Sequence, residues 1–173
     1  MGDLVTERLV LHPLSVGEAE GVLAGIPGGS VRWAPEYPMH GDVSAARRFL
    51  HFCAEGDGAR HPGAYEIWRR DDGCAIGGVD FHGPADEHGN VTIGYGLVPS
   101  ARGEGYASEA LRAILVYARD LGITTVKGNT DRDNIASQRV MAAVGMRRVA
   151  EDERVQHYET VWVDASAVTD PAS

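Results

Sequence analysis

The sequence predicts a mixed α/β fold, a mostly antiparallel sheet of about seven strands flanked by about four helices. Three features carry this prediction. Val91, Ile93, Tyr95 and Leu97 alternate as on a strand, and from Gly105 onward the apolar positions Ala107, Ala110, Leu111, Ile114, Ala118 and Leu121 change to helical spacing. Upstream, the runs Ala64 to Arg69 and Cys74 to His82 read as strands joined at Asp71-Asp72-Gly73, because Asp-Gly favours a hairpin turn. Downstream, Thr124 to Thr130 reads as another strand, and Met146 to Ala150 with Arg154 to Val163 as a closing hairpin.

In chain order, Thr6 to Leu11 is a first strand closed by His12-Pro13. Ser15 can cap a helix starting near Val16, with Glu18 three residues on as its reciprocal partner, and that helix should fade by Pro27-Gly28-Gly29. Val31 to Met39 is rich in aromatics and prolines but has no period; it reads equally as a lid of core-filling rings or as a substrate-contacting loop. Asp42 or Ser44 starts a second helix through Leu50, fading around Gly56-Asp57-Gly58, with Arg47 and Arg48 on a solvated face. On the strand that follows the hairpin turn, Val79 and Phe81 face one way while Asp80 and His82 face the other. Gly83 to Gly89 is a polar turn into the central strand, which Pro99 ends because proline has no amide hydrogen to give to a sheet. Gly122 sits where the long helix should be capped, and a short helix from Ser137 to Val144 presents Val140, Met141 and Val144 on one face before Gly145. Ala165 to Ser173 are small and polar, so residues 165–173 are expected to form a disordered tail behind a single domain of residues 1–164.

Composition narrows the function classes. The chain has 173 residues, 43% hydrophobic and 24% charged, which suits one domain with a substantial core. A net charge of −9 argues against nucleic-acid binding and favours cationic partners or solubility. No apolar run approaches the ~20 residues of a membrane span, and MGDLVTERLV has no signal-peptide core, so a cytoplasmic location is expected without membrane association. Cys53 and Cys74 are too few for a disulfide framework, and no His/Cys cluster has zinc-site spacing; no metal is expected.

Where the period changes, the sequence reads Arg102-Gly103-Glu104-Gly105-Tyr106-Ala107. The first amides of a helix lack internal partners and sit at the positive end of its dipole, so this turn can hold a phosphate. Gly103 and Gly105 allow close backbone approach, and Arg102 can add a charged contact. No Lys-Ser/Thr follows the glycines and no third glycine completes a dinucleotide fingerprint. What remains, Arg-x-x-Gly-x-Ala between strand and helix, resembles the acetyl-CoA pyrophosphate loop of the GNAT N-acetyltransferases. Thr6-Glu7-Arg8-Leu9-Val10-Leu11-His12-Pro13 is also similar to the opening of the ribosomal-protein-alanine N-acetyltransferase-like branch. A second motif of the family, Asn-x-x-Ser/Ala before a short helix ending in Gly-Phe, is matched by Asn134-Ile135-Ala136-Ser137 and Gly145-Met146.

The resemblance implies a sheet splayed at its centre, acetyl-CoA as co-substrate, and transfer of an acetyl group to a primary amine, on a small molecule or a protein N-terminus. It implies that residues 102–107 (Arg102, Gly103, Glu104, Gly105, Tyr106 and Ala107) grip the pyrophosphate, and that Asn134 orients the pantetheine. The tyrosine that protonates the leaving thiolate in many relatives is replaced by Met141, and the resemblance implies Ser137 for that role; as a residue type, Ser137 reads equally as a helix cap. The glutamate that the branch often carries on the central strand is replaced by Thr92, which leaves the base open. Whether the chain pairs as a homodimer is open as well.

The chemistry imposes its own demands. An attacking amine of lysine type has a pKa of ~10.4 and must lose a proton. The developing oxyanion needs amide donors, which a kinked central strand near Leu97-Val98 can offer, and the departing thiolate needs a hydroxyl. Asp80 and His82, together on one strand face, are candidate bases, though both also read as solvent-facing strand-end groups; Glu36 in the aromatic loop is the rival, able to bind a cationic acceptor and take its proton. Two other functions fit the residues: a catalytically inactive acyl-CoA-binding regulatory module, and an unrelated phosphate-ligand binder. Acetyl-CoA binding separates the second from the enzyme, and turnover separates the first.

Overall fold

Turn chemistry sets up the sheet. At the Asp71-Asp72-Gly73 corner the glycine takes φ 66°, Asp72 Oδ1 accepts the Cys74 amide at 3.1 Å, and the flanking runs pair antiparallel. The computed structural model describes residues 2–28, 31–160 and 162, and the expected tail lies outside them. The strands are β1 (Leu4–Val5), β2 (Leu9–Pro13), β3 (Arg32–Trp33), β4 (Ala64–Arg69), β5 (Cys74–Phe81), β6 (Asn90–Leu97), β7 (Thr125–Asp131), β8 (Arg147–Glu151) and β9 (Val155–Glu159). The helices are α1 (Val16–Ala24), α2 (His40–Ala54), α3 (Tyr106–Asp120) and α4 (Ile135–Ala143). The sheet order is β1-β2-β4-β5-β6-β7-β9-β8, with β3 added to β5. All neighbours are antiparallel except β6 with β7 and β3 with β5.

The mixed architecture is the one expected, with nine strands among the described residues in place of about seven. The additional two, β1 and β3, are only two residues long and too short to show a period. The last strand, expected from Arg154 to Val163, runs over Val155–Glu159, and three other boundaries move for a local reason. The first ladder runs from Leu9 rather than Thr6, because Thr6 Oγ1 accepts the Leu9 amide at 3.0 Å and bends the chain there. Helix α2 starts at His40, which puts Asp42 inside its first turn, where Oδ2 accepts the Met39 amide at 2.9 Å. Helix α4 starts at Ile135, because the Asn134 side chain accepts the Ser137 amide at 3.1 Å; Asn134 is the cap, and Ser137 is not.

Helices α1 and α2 cover one face of the sheet, and α3 and α4 the other. Phe81, Leu111, Ile114 and Val126 belong to the main core with almost no exposure, and each stabilises the fold by about 1.5–3 kcal/mol through burial. A smaller cluster of Leu14, Ala19, Val22, Ala46, Phe49 and Ala64 holds α1 and α2. None of the described helices is long and apolar enough to cross a membrane.

At the start of α1, Ser15 Oγ accepts the Glu18 amide at 3.2 Å and Glu18 Oε2 accepts the Ser15 amide at 2.8 Å, as the sequence pattern predicts. Ser15→Ala should therefore lower the urea-unfolding free energy by about 1 kcal/mol with an unchanged m-value.

Candidate functional site

The site begins with a failure of pairing. β6 and β7 run parallel and in register only from Asn90 with Thr125 to Ile93 with Gly128. Beyond that point β7 stays with β9 as far as Asp131, and β6 stays with β5 as far as Leu97, so a wedge opens between them. Asn134 and Ser137 of α4 line this wedge with Ile93, Gly94, Tyr95 and Thr130, around a cavity of about 280 Å³. Val98 N donates to Ile76 O and His82 N to Thr92 O, at 2.8 Å each. Ladder alternation therefore turns the amides of Tyr95 and Leu97 away from β5, toward the wedge. Of the two amides expected to serve an oxyanion, that of Val98 is thus engaged within the sheet, and that of Leu97 faces the opening.

The glycine loop takes the backbone geometry its residues suggest. Gly103 and Gly105 adopt φ 83° and 81°, where a side chain would be strained, and Gly105 is the N-cap of α3. The N-terminal segment holds the loop from behind: Arg8 Nη1 donates to Glu104 O at 2.7 Å, and its guanidinium lies 4.5 Å from the centre of the Tyr106 ring. Arg8 Nε and Thr6 Oγ1 both donate to Glu109, at 2.9 and 2.7 Å. Burial alone would raise the Glu109 carboxyl, but these donors hold it below its ordinary range. Arg102 Nε donates to Leu97 O at 3.1 Å and ties the loop to the end of β6. A cleft of about 390 Å³ runs from Arg102 and Ala107 past Leu97 and Val140 to Tyr95 and Ser137. Backbone amides at one end and a narrow, largely apolar channel beyond them fit a phosphorylated carrier with a slender arm, the shape of acetyl-CoA.

Where the cleft meets the wedge, the Tyr95 hydroxyl lies 2.7 Å from Ser137 Oγ. Burial raises the Tyr95 pKa, with Ser137 partly opposing the shift, so the phenol stays protonated and able to donate. Met141 is buried, with its thioether against Gly128, and offers no proton.

On the α2 face of β6 lies a second cavity, of about 180 Å³, sharing Met39, Gly41, Tyr95 and Gly96 with the cleft. Glycines create it: a β-carbon on Gly78 would stand 2.6 Å from Asp42 Oδ1, and one on Gly94 would stand 2.9 Å from His82 Nε2 and 3.3 Å from Asp80 Oδ1. Asp80 lines the cavity and is ion-paired to Arg48 at 2.9 Å. His82 lies behind Asp80; burial lowers its pKa, with Asp80 opposing and Arg48 adding to the shift, so the imidazole is neutral at pH 7. Asp42 also lines the cavity, and burial, reinforced by Glu66 and Asp80, pushes its carboxyl up to about 6 against the bond from the Met39 amide. Glu36 is exposed, accepts from Ser100 Oγ at 3.1 Å, and stands outside these cavities.

The structure thus brings together residues 102–107, Leu97, Asn134 and Ser137, sets Asp80 and His82 across β6 from them, and leaves Glu36 apart. Sequence reasoning missed Tyr95 and Asp42. Tyr95 sits in an Ile-Gly-Tyr-Gly run whose flanking glycines are the available signal of a cleared surface, and Asp42 reads from sequence only as a helix start.

Comparison with known proteins agrees with this geometry. A family model described as an acetyltransferase (GNAT) domain matches residues 8–147. The uncharacterized N-acetyltransferase YnaD of Bacillus subtilis is 36% identical over 95 residues, and the match spans only 54% of this chain and 54% of that relative. YoaA, another uncharacterized N-acetyltransferase of Bacillus subtilis, is 29% identical over 150 residues, covering 84% of this chain and 82% of YoaA. Among solved structures, the ribosomal-protein-S5-alanine acetyltransferase of Vibrio fischeri superposes with a TM-score of 0.69 over 94% of this chain and 97% of that one, at 14% identity, a likeness of fold.

The capping geometry separates two neighbouring residues. Asn134→Ala should cost about 1 kcal/mol of stability, whereas Ser137→Ala should leave the melting temperature close to wild type. Differential scanning calorimetry of the two variants checks this.

Proposed function

The chain belongs to the GNAT acetyltransferase family, and from that premise we propose that it transfers the acetyl group of acetyl-CoA to a primary amine, of a small molecule or a protein N-terminus, by direct attack in a ternary complex. The observation that carries this reading is the wedge between β6 and β7, with a phosphate-compatible cleft on one side of β6 and an acid-lined cavity on the other. Acetyl-CoA supplies an acyl thioester, and the residues of this chain do the rest.

The amides and Arg102 of residues 102–107, Gly103 to Ala107 included, hold the pyrophosphate at the start of α3. Leu97 and the first turn of α4 flank the pantetheine arm, with Asn134 and Ser137 at its reactive end; Val98, fully buried and bonded to Ile76, does not reach it. The Leu97 amide, turned into the wedge, stabilises negative charge on the acyl oxygen; a donor of this kind is worth about 2.7–4 kcal/mol in other acyl-transfer enzymes. Ser137 Oγ donates to the departing sulfur, and the Tyr95 hydroxyl 2.7 Å away relays the proton. Asp80, ion-paired to Arg48, forms part of the wall of the cavity through which the ammonium arrives, and neutral His82 stands near it. Glu36, tethered to Ser100, takes no part.

A screen of primary amines with acetyl-CoA, read by release of the CoA thiol, tests the reading. Turnover with at least one amine class is expected. Acetyl-CoA binding without turnover on any amine would instead mark a silent acyl-CoA-binding module. Two variants test the assignments. Gly105→Asp puts a carboxylate where the pyrophosphate is held, so calorimetry with acetyl-CoA should show little or no binding while circular dichroism stays native; wild-type affinity would overturn the loop's role. Ser137→Ala should lower kcat by about 100-fold with acetyl-CoA affinity retained; unchanged kcat would remove Ser137 from the chemistry.

A further inference from the structure

The α2-face cavity contains a carboxyl that no step above uses. Asp42 is only 9% exposed. Its Oδ2 accepts the Met39 amide, while Oδ1 has no hydrogen-bond partner among the described residues and stands over Gly78 at the cavity wall. Asp80, the other carboxyl there, is neutralised by Arg48. The cavity adjoins the cleft along Met39, Gly41, Tyr95 and Gly96, the residues the two share. Its volume of about 180 Å³ equals about six waters at ~30 Å³ each, room for the amine-bearing end of an acceptor and little more. The bare walls at Gly78, Gly94 and Gly96 leave that space to the incoming group.

We propose that Asp42 is the catalytic base: its carboxylate receives the acceptor as a primary ammonium carried on a small or unbranched end, and takes the proton that must leave before attack. This rests on the acetyl-transfer reading. One ammonium proton passes to Asp42. The freed nitrogen lone pair then forms the bond to the acyl carbon, the carbon–sulfur bond breaks with its electron pair going to sulfur, and a second nitrogen proton reaches sulfur through Tyr95 and Ser137. Asp42 returns its proton to solvent, so one proton is released per acetyl group transferred. The groups acting on Asp42 are Glu66 from β4, Asp80 from β5 and Tyr37 from the loop before α2; Arg48 of α2 lines the same cavity but is paired to Asp80, which also acts on His82. Glu66 is buried, bonded by Trp68 Nε1 at 2.7 Å, and raised by burial. The uncompensated negative charge nearest the cavity is therefore that of Asp42.

The test uses Asp42→Asn, which keeps an oxygen for the Met39 amide, with an amine panel of alkylamines, diamines and short peptides. Wild-type kcat/KM should rise with pH through a limb near 6, the value to which burial pushes this carboxyl. The variant should lose about 100-fold or more in kcat and lose the limb, with calorimetric acetyl-CoA affinity intact. A readout without turnover comes from stability. A carboxyl whose pKa is raised on folding binds more protons folded than unfolded, so wild-type stability should fall as pH rises from about 4 to 6, and Asp42→Asn should flatten that fall. Wild-type turnover and an unchanged limb in the variant would overturn the assignment while leaving the transferase reading intact, and so would identical pH–stability curves. Bound acetyl-CoA with no amine acetylated by the wild-type protein would overturn the transferase reading, and Asp42 with it.

Discussion

Parallel pairing between β6 and β7 ends after Ile93 and Gly128, and the candidate site depends on that ending. A buried backbone group without a partner costs about 1–3 kcal/mol, so a sheet opens at its centre only where something else meets the released groups. Arg102 meets the Leu97 carbonyl, the capped end of α4 enters the gap with Asn134 and Ser137, and Tyr95 turns its hydroxyl onto Ser137. What is left facing the opening is a small set of oriented amide donors. An acyl oxygen is the kind of group that such donors stabilise without reorganisation.

The two faces of β6 have different jobs because a strand alternates. Val91, Ile93 and Leu97 anchor it to the core beneath α3. Gly94 and Gly96, with Gly78 beside them, strip the other face and make room for carboxyls brought by α2 and β5. The same strand is thus a rigid support and the floor of a cavity, and Tyr95 is reached from both sides. The loop of residues 102–107 is fixed in turn by Arg8 and Thr6, whose bonds to Glu104 and Glu109 span about a hundred positions of sequence and lock the N-terminal segment to the start of α3.

Much of this was legible before the structure. Period and turn residues located α3, the β4–β5 hairpin, the Ser15–Glu18 cap and the loop at Gly103 and Gly105, because each is encoded within a few adjacent residues. Local signals failed where a distant partner decides. Thr6 has the pattern of a strand residue, but its hydroxyl takes the Leu9 amide and turns the chain. Arg32–Trp33 pairs only because β5 lies beside it. Asp42 as a cap and Asp42 at a cavity wall differ by three residues of helix start, and that start is set by Met39. The closeness of Tyr95 to Ser137 joins residues 42 positions apart and has no sequence signature.

The central claim is that acetyl-CoA enters the split between β6 and β7. Hydrogen–deuterium exchange of the free and acetyl-CoA-saturated protein tests it most directly, since the amides of Tyr95 and Leu97 face the split while those of Gly94 and Val98 face β5. The account predicts that saturation slows exchange at Tyr95, Leu97 and residues 103–107, and leaves β1 and β8 unchanged. Saturated binding with unaltered exchange at Tyr95 and Leu97 would contradict it.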